Sequence, residues 1–169
     1  MREVKIVPFE KLGRNFIAEK HLPPGKDEHY LRNEQTPKPR DYWRRLRSSE
    51  IEALVKNANT CDDWDSIFVA DPFHPHLVKH CEFAGLVRIG KLERVILEHH
   101  ELKMPAGLSD SLIISCDLGD NVAIHNVRYL SHFIIGDHVM LLNVDEMNTT
   151  DRAKFGNGIL KDGEPEDLR

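Results

Sequence analysis

The chain contains no Cys-x-x-Cys pair, and its three cysteines, Cys61, Cys81 and Cys116, lie far apart. An odd number at such spacings argues against a disulfide framework or a cysteine-ligated metal and fits reduced thiols. No apolar run approaches the ~20 residues that cross a bilayer. The opening MREVKIVPFEKLG is too polar for a signal peptide. These absences predict a soluble cytoplasmic protein without a membrane partner. The chain also has no P-loop, no GxGxxG and no GxSxG, which removes the commonest phosphate-cradling and nucleophile-elbow signatures. An excess of basic residues is missing too. The net charge is −5, which argues against a general nucleic-acid binder.

What is present is unevenly distributed. Residues 1–47 hold 12 Lys/Arg against 7 Asp/Glu, and the remainder holds 11 against 21. The two parts should attract each other, weakly if the charges stay exposed. The stretch KHLPPGKDEHYLRNEQTPKPR (20–40) is polar and carries four prolines and one glycine. It reads as an extended arm rather than a packed element. A helix is expected next. Ser49 and Glu52 form a capping box, Ile51, Leu54, Val55 and Ala58 share a face, and Asn57 and Asn59 are stop residues. The arginines beside Tyr42 and Trp43 lack the sustained basic face of a nucleic-acid binder and read as wet flanks of docked aromatics.

After residue 60 no 3.6-residue period survives, and short β-rich runs cut by glycine and aspartate take over. LGDNVAIHNV (118–127) returns as IGDHVMLLNV (135–144), 17 residues on. Leu112, Leu118, Ile124 and Leu130 are spaced by six; one residue is then missing, and Ile135 and Leu141 continue the series. Cys116, Val122 and Val139 follow their anchors by four. Ala106 holds the frame backwards, Phe83, Ile89 and Val95 form an earlier series, and FGNGIL (155–160) is a further version. A six-residue period with a bulky anchor fits the hexapeptide coil of a left-handed parallel β-helix. Leu118 should then stack on Ile135, Val122 on Val139, Ile124 on Leu141 and Asn126 on Asn143. Gly-Asp and Asn residues should hold corners of positive φ. The implied order is a polar arm or linker (1–47), a helical cap region (48–82), a short left-handed β-helix (83–160) with a protruding loop at 96–105, and a polar tail (161–169). Trp64, Phe68 and Phe73 should pack beside the helix and cap one end. The coil begun at Phe155 should lie against a partner subunit, the arm, or further coils.

The stretches EIEALVKNANTCDDW, DPFHPHLVKHCEFAGLVRIGKLE, LIISCDLGDNVAIHNVRYLSHFIIGDHVMLLNV and KFGNGILKDGEPED resemble the N-terminal part of a bacterial hexapeptide-repeat family known as a domain of unknown function. The resemblance covers roughly residues 48–169. Members of that family look related to sugar-nucleotide acyltransferases and nucleotidyltransferases, and they continue past the FGNG segment, which implies a fragment or a short relative here. The resemblance implies a sugar-nucleotide substrate, acetyl-CoA or another acyl-CoA as donor, and a trimer with its sites between subunits.

In such enzymes a histidine acts as general base on the acceptor, which requires a neutral imidazole in a cleft. His125, His132 and His138 are the candidate catalytic residues; His125 should point outward beside Asn126, and His138 should occupy the corner matching Asn121. His99 and His100 on the protruding loop are a further choice. His74, His76 and His80 could supply imidazoles to a metal, but their spacing is not a helical ligand pair, and no metal site is assigned. Asp117, Asp120 and Asp137 read as corner or solvent residues. Two functions stand: an acyltransferase-like enzyme, or a non-catalytic β-helix that oligomerises or regulates a longer enzyme. A histidine in a cleft favours the first; flat apolar faces favour the second.

Overall fold

The computed structural model describes residues 3–151. Within them the chain is mostly β, with few helices and three parallel sheets. The first sheet joins Ile67–Val69, Val87–Ile89, Asp117–Leu118 and Ile134–Ile135, with Arg44–Arg45 antiparallel at its edge. The second joins Thr60–Cys61, Glu82–Ala84, Leu112–Ile114 and Leu130–Ser131. The third joins Val78–Lys79, Gly107–Ser109, Ala123–Val127 and Met140–Val144. From residue 60 the chain visits second, first and third sheet in rotation, so each strand pairs with the one laid down a cycle earlier. All three sheets contribute to one core.

The core consists of three rows in register. Val69, Ile89, Leu118 and Ile135 form one. Cys61, Phe83, Ile113 and Leu130 form the second. Val78, Leu108, Ile124 and Leu141 form the third. Leu118, Ile124 and Leu130 are buried outright, Ile135 is buried, and Leu141 packs half-buried against them. Each fully buried Leu or Ile contributes roughly 1.5–3 kcal/mol. The expected pairs Leu118–Ile135 and Ile124–Leu141 are in register, and Asn126 Nδ2 donates to Asn143 Oδ1 at 2.9 Å.

Two residues of the six-residue frame are misplaced. Leu112 is half-exposed, and its neighbour Ile113 takes the core position beside Phe83 and Leu130. The reason is a five-residue step, Ile113 to Leu118, that recurs as Leu130 to Ile135. It falls at the same corner each time, where Ser115 and His132 have φ of 48° and 61°. The missing residue that explains the 17-residue echo therefore belongs to both turns. Val95 is the second exception: it is 40% exposed, where the chain leaves the sheets for an antiparallel hairpin, Ile96–His99 with Leu102–Pro105. The amide of Ala106 closes its base on the Val95 carbonyl at 2.9 Å.

Corners carry rows of left-handed residues: His80, Asp110, Asn126 and Asn143 at one, Gly85, Ser115 and His132 at the next, Asn121 and His138 at the third. Short polar side chains and histidine tolerate this region better than branched ones. The Gly-Asp dipeptides serve another purpose. Gly119 does not have a left-handed φ; a Cβ there would lie 2.5 Å from the Gly136 carbonyl carbon and the Asp137 nitrogen. Glycine is needed because successive backbones touch.

The N-terminal segment is packed, against the reading of 20–40 as an extended arm. Helix α1 spans Glu28–Gln35, capped by the Asp27 carboxylate accepting from the His29 amide. It stops at Thr36, which Pro37 forces into extended backbone. Helix α2 spans Ser48–Lys56; Glu50 rather than Glu52 reaches back, accepting from the Arg47 amide at 2.8 Å. Only Leu54 of its expected apolar face is fully buried, while Val55 is exposed. It ends on left-handed Ala58 with amides 58 and 59 returning to Val55 and Leu54, a Schellman arrangement. The Asn59 side chain then donates to the Leu54 and Val78 carbonyls and accepts from the Cys81 amide, tying helix to sheet. Phe73 is buried and Trp64 packs half-buried on the core. The coil expected from Phe155 and the tail at 161–169 lie outside the described residues.

Candidate functional site

Two polar regions flank the core, on different sheets. The first lies under the N-terminal segment, on the first sheet. Asp117 is 2% exposed and stands between two arginines. Arg88 Nε and Nη2 donate to its two oxygens at 2.6 Å each. Arg32 of α1 donates to Asp117 Oδ1 and to the Leu86 and Cys116 carbonyls. Burial raises the Asp117 pKa, but the hydrogen bond from Arg88 and the charge of Arg32 outweigh it and hold the carboxyl below its ordinary range. Further along the corner, Lys38 Nζ lies 3.2 Å from both Asp120 and Asp137, and the Tyr42 hydroxyl donates to Asp120. Arg88 also stacks on Trp43 at 4.4 Å, while Arg44 is held by Glu50 and Asp71. Asp117 and Asp120 are thus anchors for the basic segment rather than solvent residues, through Arg32 and Lys38. No spacing rule predicts this, because partner and acid lie 85 residues apart.

His132 belongs to this region. It is stacked on Phe16 at 3.8 Å, its Nδ1 is 2.6 Å from Ser131 Oγ, and its Nε2 is buried without a partner. Burial lowers its pKa, Glu28 opposes and Arg32 assists. His29 is lowered likewise by burial. A cavity of about 90 Å³ lies between Phe16, Glu28, Arg32 and His132. Its guanidinium and carboxylate already have protein partners: the Glu28 carboxylate accepts from the Phe16 amide at 2.7 Å.

The second region lies on the outward face of the third sheet, beside the hairpin. Residues alternate across a strand, so Lys79, Ser109, His125 and Leu142, each following a core residue, form one outward row in register. His125 Nδ1 lies 2.6 Å from Ser109 Oγ, and Nε2 lies 2.8 Å from the Pro105 carbonyl at the hairpin base. A carbonyl oxygen can only accept. The proton therefore sits on Nε2, and Nδ1 accepts from the Ser109 hydroxyl. Both residues are half-buried. His138 is exposed at the corner preceding the next strand, in the row of Asn121. It lines an open cleft of about 540 Å³ whose other wall is the hairpin, from Val95 to His99.

The three candidate histidines therefore separate. His125 and His138 belong to the third-sheet side, and His132 to the corner under the N-terminal segment. His125 points outward beside Asn126, as its place after Ile124 requires. Ser109 was not visible from the sequence: its partner lies 16 residues away, and only the register of Gly107–Ser109 with Ala123–Val127 brings them together. His99 and His100 sit at the hairpin tip with ring centroids 4.1 Å apart. No group of three metal-ligating side chains occurs among the described residues. Burial pushes the thiols of Cys61 and Cys116 up to about 11 and that of Cys81 up to about 12, which leaves no thiolate nucleophile among them. No helix of the described residues is long and apolar enough to cross a membrane.

An uncharacterized protein of Treponema pallidum (strain Nichols) is 49% identical over 166 residues, 98% of this chain and 23% of that protein. The chain spans less than a quarter of that relative's length. No solved structure matches the chain. Residues 43–163 match the family described as Domain of unknown function (DUF4954), and the chain belongs to that family.

Proposed function

We propose that the three sheets are the faces of a short left-handed parallel β-helix built on hexapeptide repeats, and that it carries an acyltransferase-like site at His125. The strand rotation through three sheets and the rows of left-handed corners support the fold reading. The observation that carries the activity is the pair of bonds on His125. Its Nε2–H is fixed on the Pro105 carbonyl, so Nδ1 keeps its lone pair, which accepts from the Ser109 hydroxyl. A general base must offer such a nitrogen within hydrogen-bond reach of the proton it takes. When it takes that proton, the imidazolium keeps a charge-assisted bond to Pro105, which stabilises the charged form. His138 and the hairpin cleft lie on the same side and would receive the acceptor, a sugar nucleotide in this reading. The donor is acetyl-CoA or another acyl-CoA, and the protein works in the cytoplasm.

The test is acetyl-CoA titration by calorimetry, followed by thiol release in the presence of sugar nucleotides. The expected result is saturable release that falls ~10²–10⁴-fold in His125→Ala. Equal release by wild type and variant would remove His125 from the mechanism.

A second reading has its own observation. Ile96 at the hairpin base and Leu142 on the outward face of the third sheet are 61% and 46% exposed apolar side chains. Such a face suits self-association, most simply as a closed trimer. Sedimentation should show a trimer at micromolar concentration, and Ile96→Glu with Leu142→Glu should release monomers. Trimers that bind no thioester would favour a non-catalytic oligomerisation or regulatory module of a longer enzyme.

A further inference from the structure

The third-sheet row contains more than a base. Ser109 Oγ donates to His125 Nδ1 at 2.6 Å, and His125 Nε2 donates to a carbonyl at 2.8 Å. Hydroxyl, imidazole and fixed acceptor stand in the order of a serine nucleophile, its base and the group that orients the base. The main-chain oxygen of Pro105 takes the place of the usual carboxylate. On the other side of Ser109, in register and on the same outward face, is Lys79. Neighbouring strands are ~4.8 Å apart, so Lys79 is the outward neighbour of Ser109 on that side. It forms no ion pair among the described residues, so its charge is available there. Ser109 itself is half-buried, so a carbonyl carbon can approach it from outside.

We propose that Ser109 is a nucleophile that carries the acyl group as a seryl ester before an acceptor hydroxyl takes it. This inference rests on the reading of His125 as the base. In the first step Ser109 Oγ attacks the thioester carbonyl while its proton passes to His125 Nδ1. The Lys79 ammonium offsets the oxyanion. The C–S bond breaks, the proton goes to the departing thiolate, and free thiol leaves. In the second step the acceptor hydroxyl gives its proton to Nδ1 and attacks the ester carbonyl. The C–Oγ bond breaks, and the proton returns to Ser109. Atoms balance without an oxidant, a metal or a further reactant.

The experiment uses the 169-residue chain with acetyl-CoA and, as a less selective acyl donor, p-nitrophenyl acetate. Acceptor is omitted, the mixture is acid-quenched, and intact mass and peptide mapping are read. The expected result is a single acetyl group on the peptide containing Ser109, formed with a burst of about one leaving group per chain. Ser109→Ala and His125→Ala should lose the adduct, with circular dichroism unchanged. Ser109→Cys should regain it as a thioester, and Lys79→Ala should slow its formation ~10-fold or more. If acetyl transfer to an acceptor continues in Ser109→Ala and stops in His125→Ala, with no adduct in wild type, the seryl ester is overturned while the base reading stands. If His125→Ala transfers as wild type does, or if no donor yields any leaving group with or without acceptor, both are overturned.

Discussion

The corner under the N-terminal segment and the outward face of the third sheet contain the same kinds of side chain in opposite conditions. Around Asp117 the charged groups are hydrogen-bonded: two guanidinium groups, one carboxylate and two carbonyls close on one another with little solvent access. Around His125 two bonds fix the ring, yet the row stays open to solvent, with Lys79 and Leu142 exposed on either side. A saturated polar cluster has nothing left to offer a ligand, and breaking it leaves buried charge behind. An oriented but accessible imidazole has the reverse character: it contributes little to stability and keeps a nitrogen for chemistry. The difference assigns Asp117 and Asp120 to holding the fold, and leaves His125 as the residue of the candidate reaction.

The largest expected effect breaks the saturated side. Asp117→Asn should cost about 3–5 kcal/mol in urea unfolding, because Arg32 and Arg88 would keep their burial and lose their counter-charge. Ile124→Ala, in the core row between the two regions, should cost about 2–5 kcal/mol and lower activity only in proportion to folded protein. Removing residues 1–40 should lower the melting temperature and raise dye binding, since it strips Arg32 and Lys38 from Asp117 and Asp120. An unchanged melting temperature would show those contacts to be idle.

A smaller effect is a pH dependence confined to the same side. His29 and His132 have folded pKa values below 6.5, each lowered first by burial. Groups so depressed are neutral in the folded chain and bind protons more readily when unfolded. Their contribution is therefore complete above about pH 6.5 and is lost as pH falls below it. His132→Gln should flatten the stability profile below about pH 6.5; an identical slope in the variant would contradict this. Asp117 adds a second loss below about pH 4, by the same sign: its depressed pKa gives stability that disappears as the carboxylate is protonated. The smallest effect is Lys38→Ala, whose partners keep other donors, Tyr42 and the Lys91 amide on Asp120 and the Asp120 amide on Asp137, at less than about 1 kcal/mol.

Sequence spacing revealed the repeating strands because the buried positions recur. Leu118 and Ile135, or Ile124 and Leu141, stack as their spacing demands. It failed by one residue at Leu112, because a corner that skips a residue leaves no local mark distinguishing Leu112 from Ile113. It failed at the N-terminal segment because Arg32 and Asp117 are joined only by the fold. Polar composition looked like an unpacked arm, yet Arg32, Asn33 and Lys38 found partners on the first sheet and its corner. His125 could be singled out by its place after Ile124. Ser109 and Pro105, which fix its tautomer, could not, since both reach it through strand register and the hairpin base.

The most direct test pairs the two regions in one measurement, with urea midpoint and acetyl-CoA-dependent thiol release recorded on the same preparations of Asp117→Asn and His125→Ala. A crossed result is expected. Asp117→Asn loses several kcal/mol of stability but, where still folded, keeps its rate per folded chain. His125→Ala shifts the midpoint by less than about 1.5 kcal/mol and loses release ~10²-fold or more. Loss of both properties in both variants, or undiminished release in His125→Ala, would contradict the division of the molecule into a saturated and a reactive side.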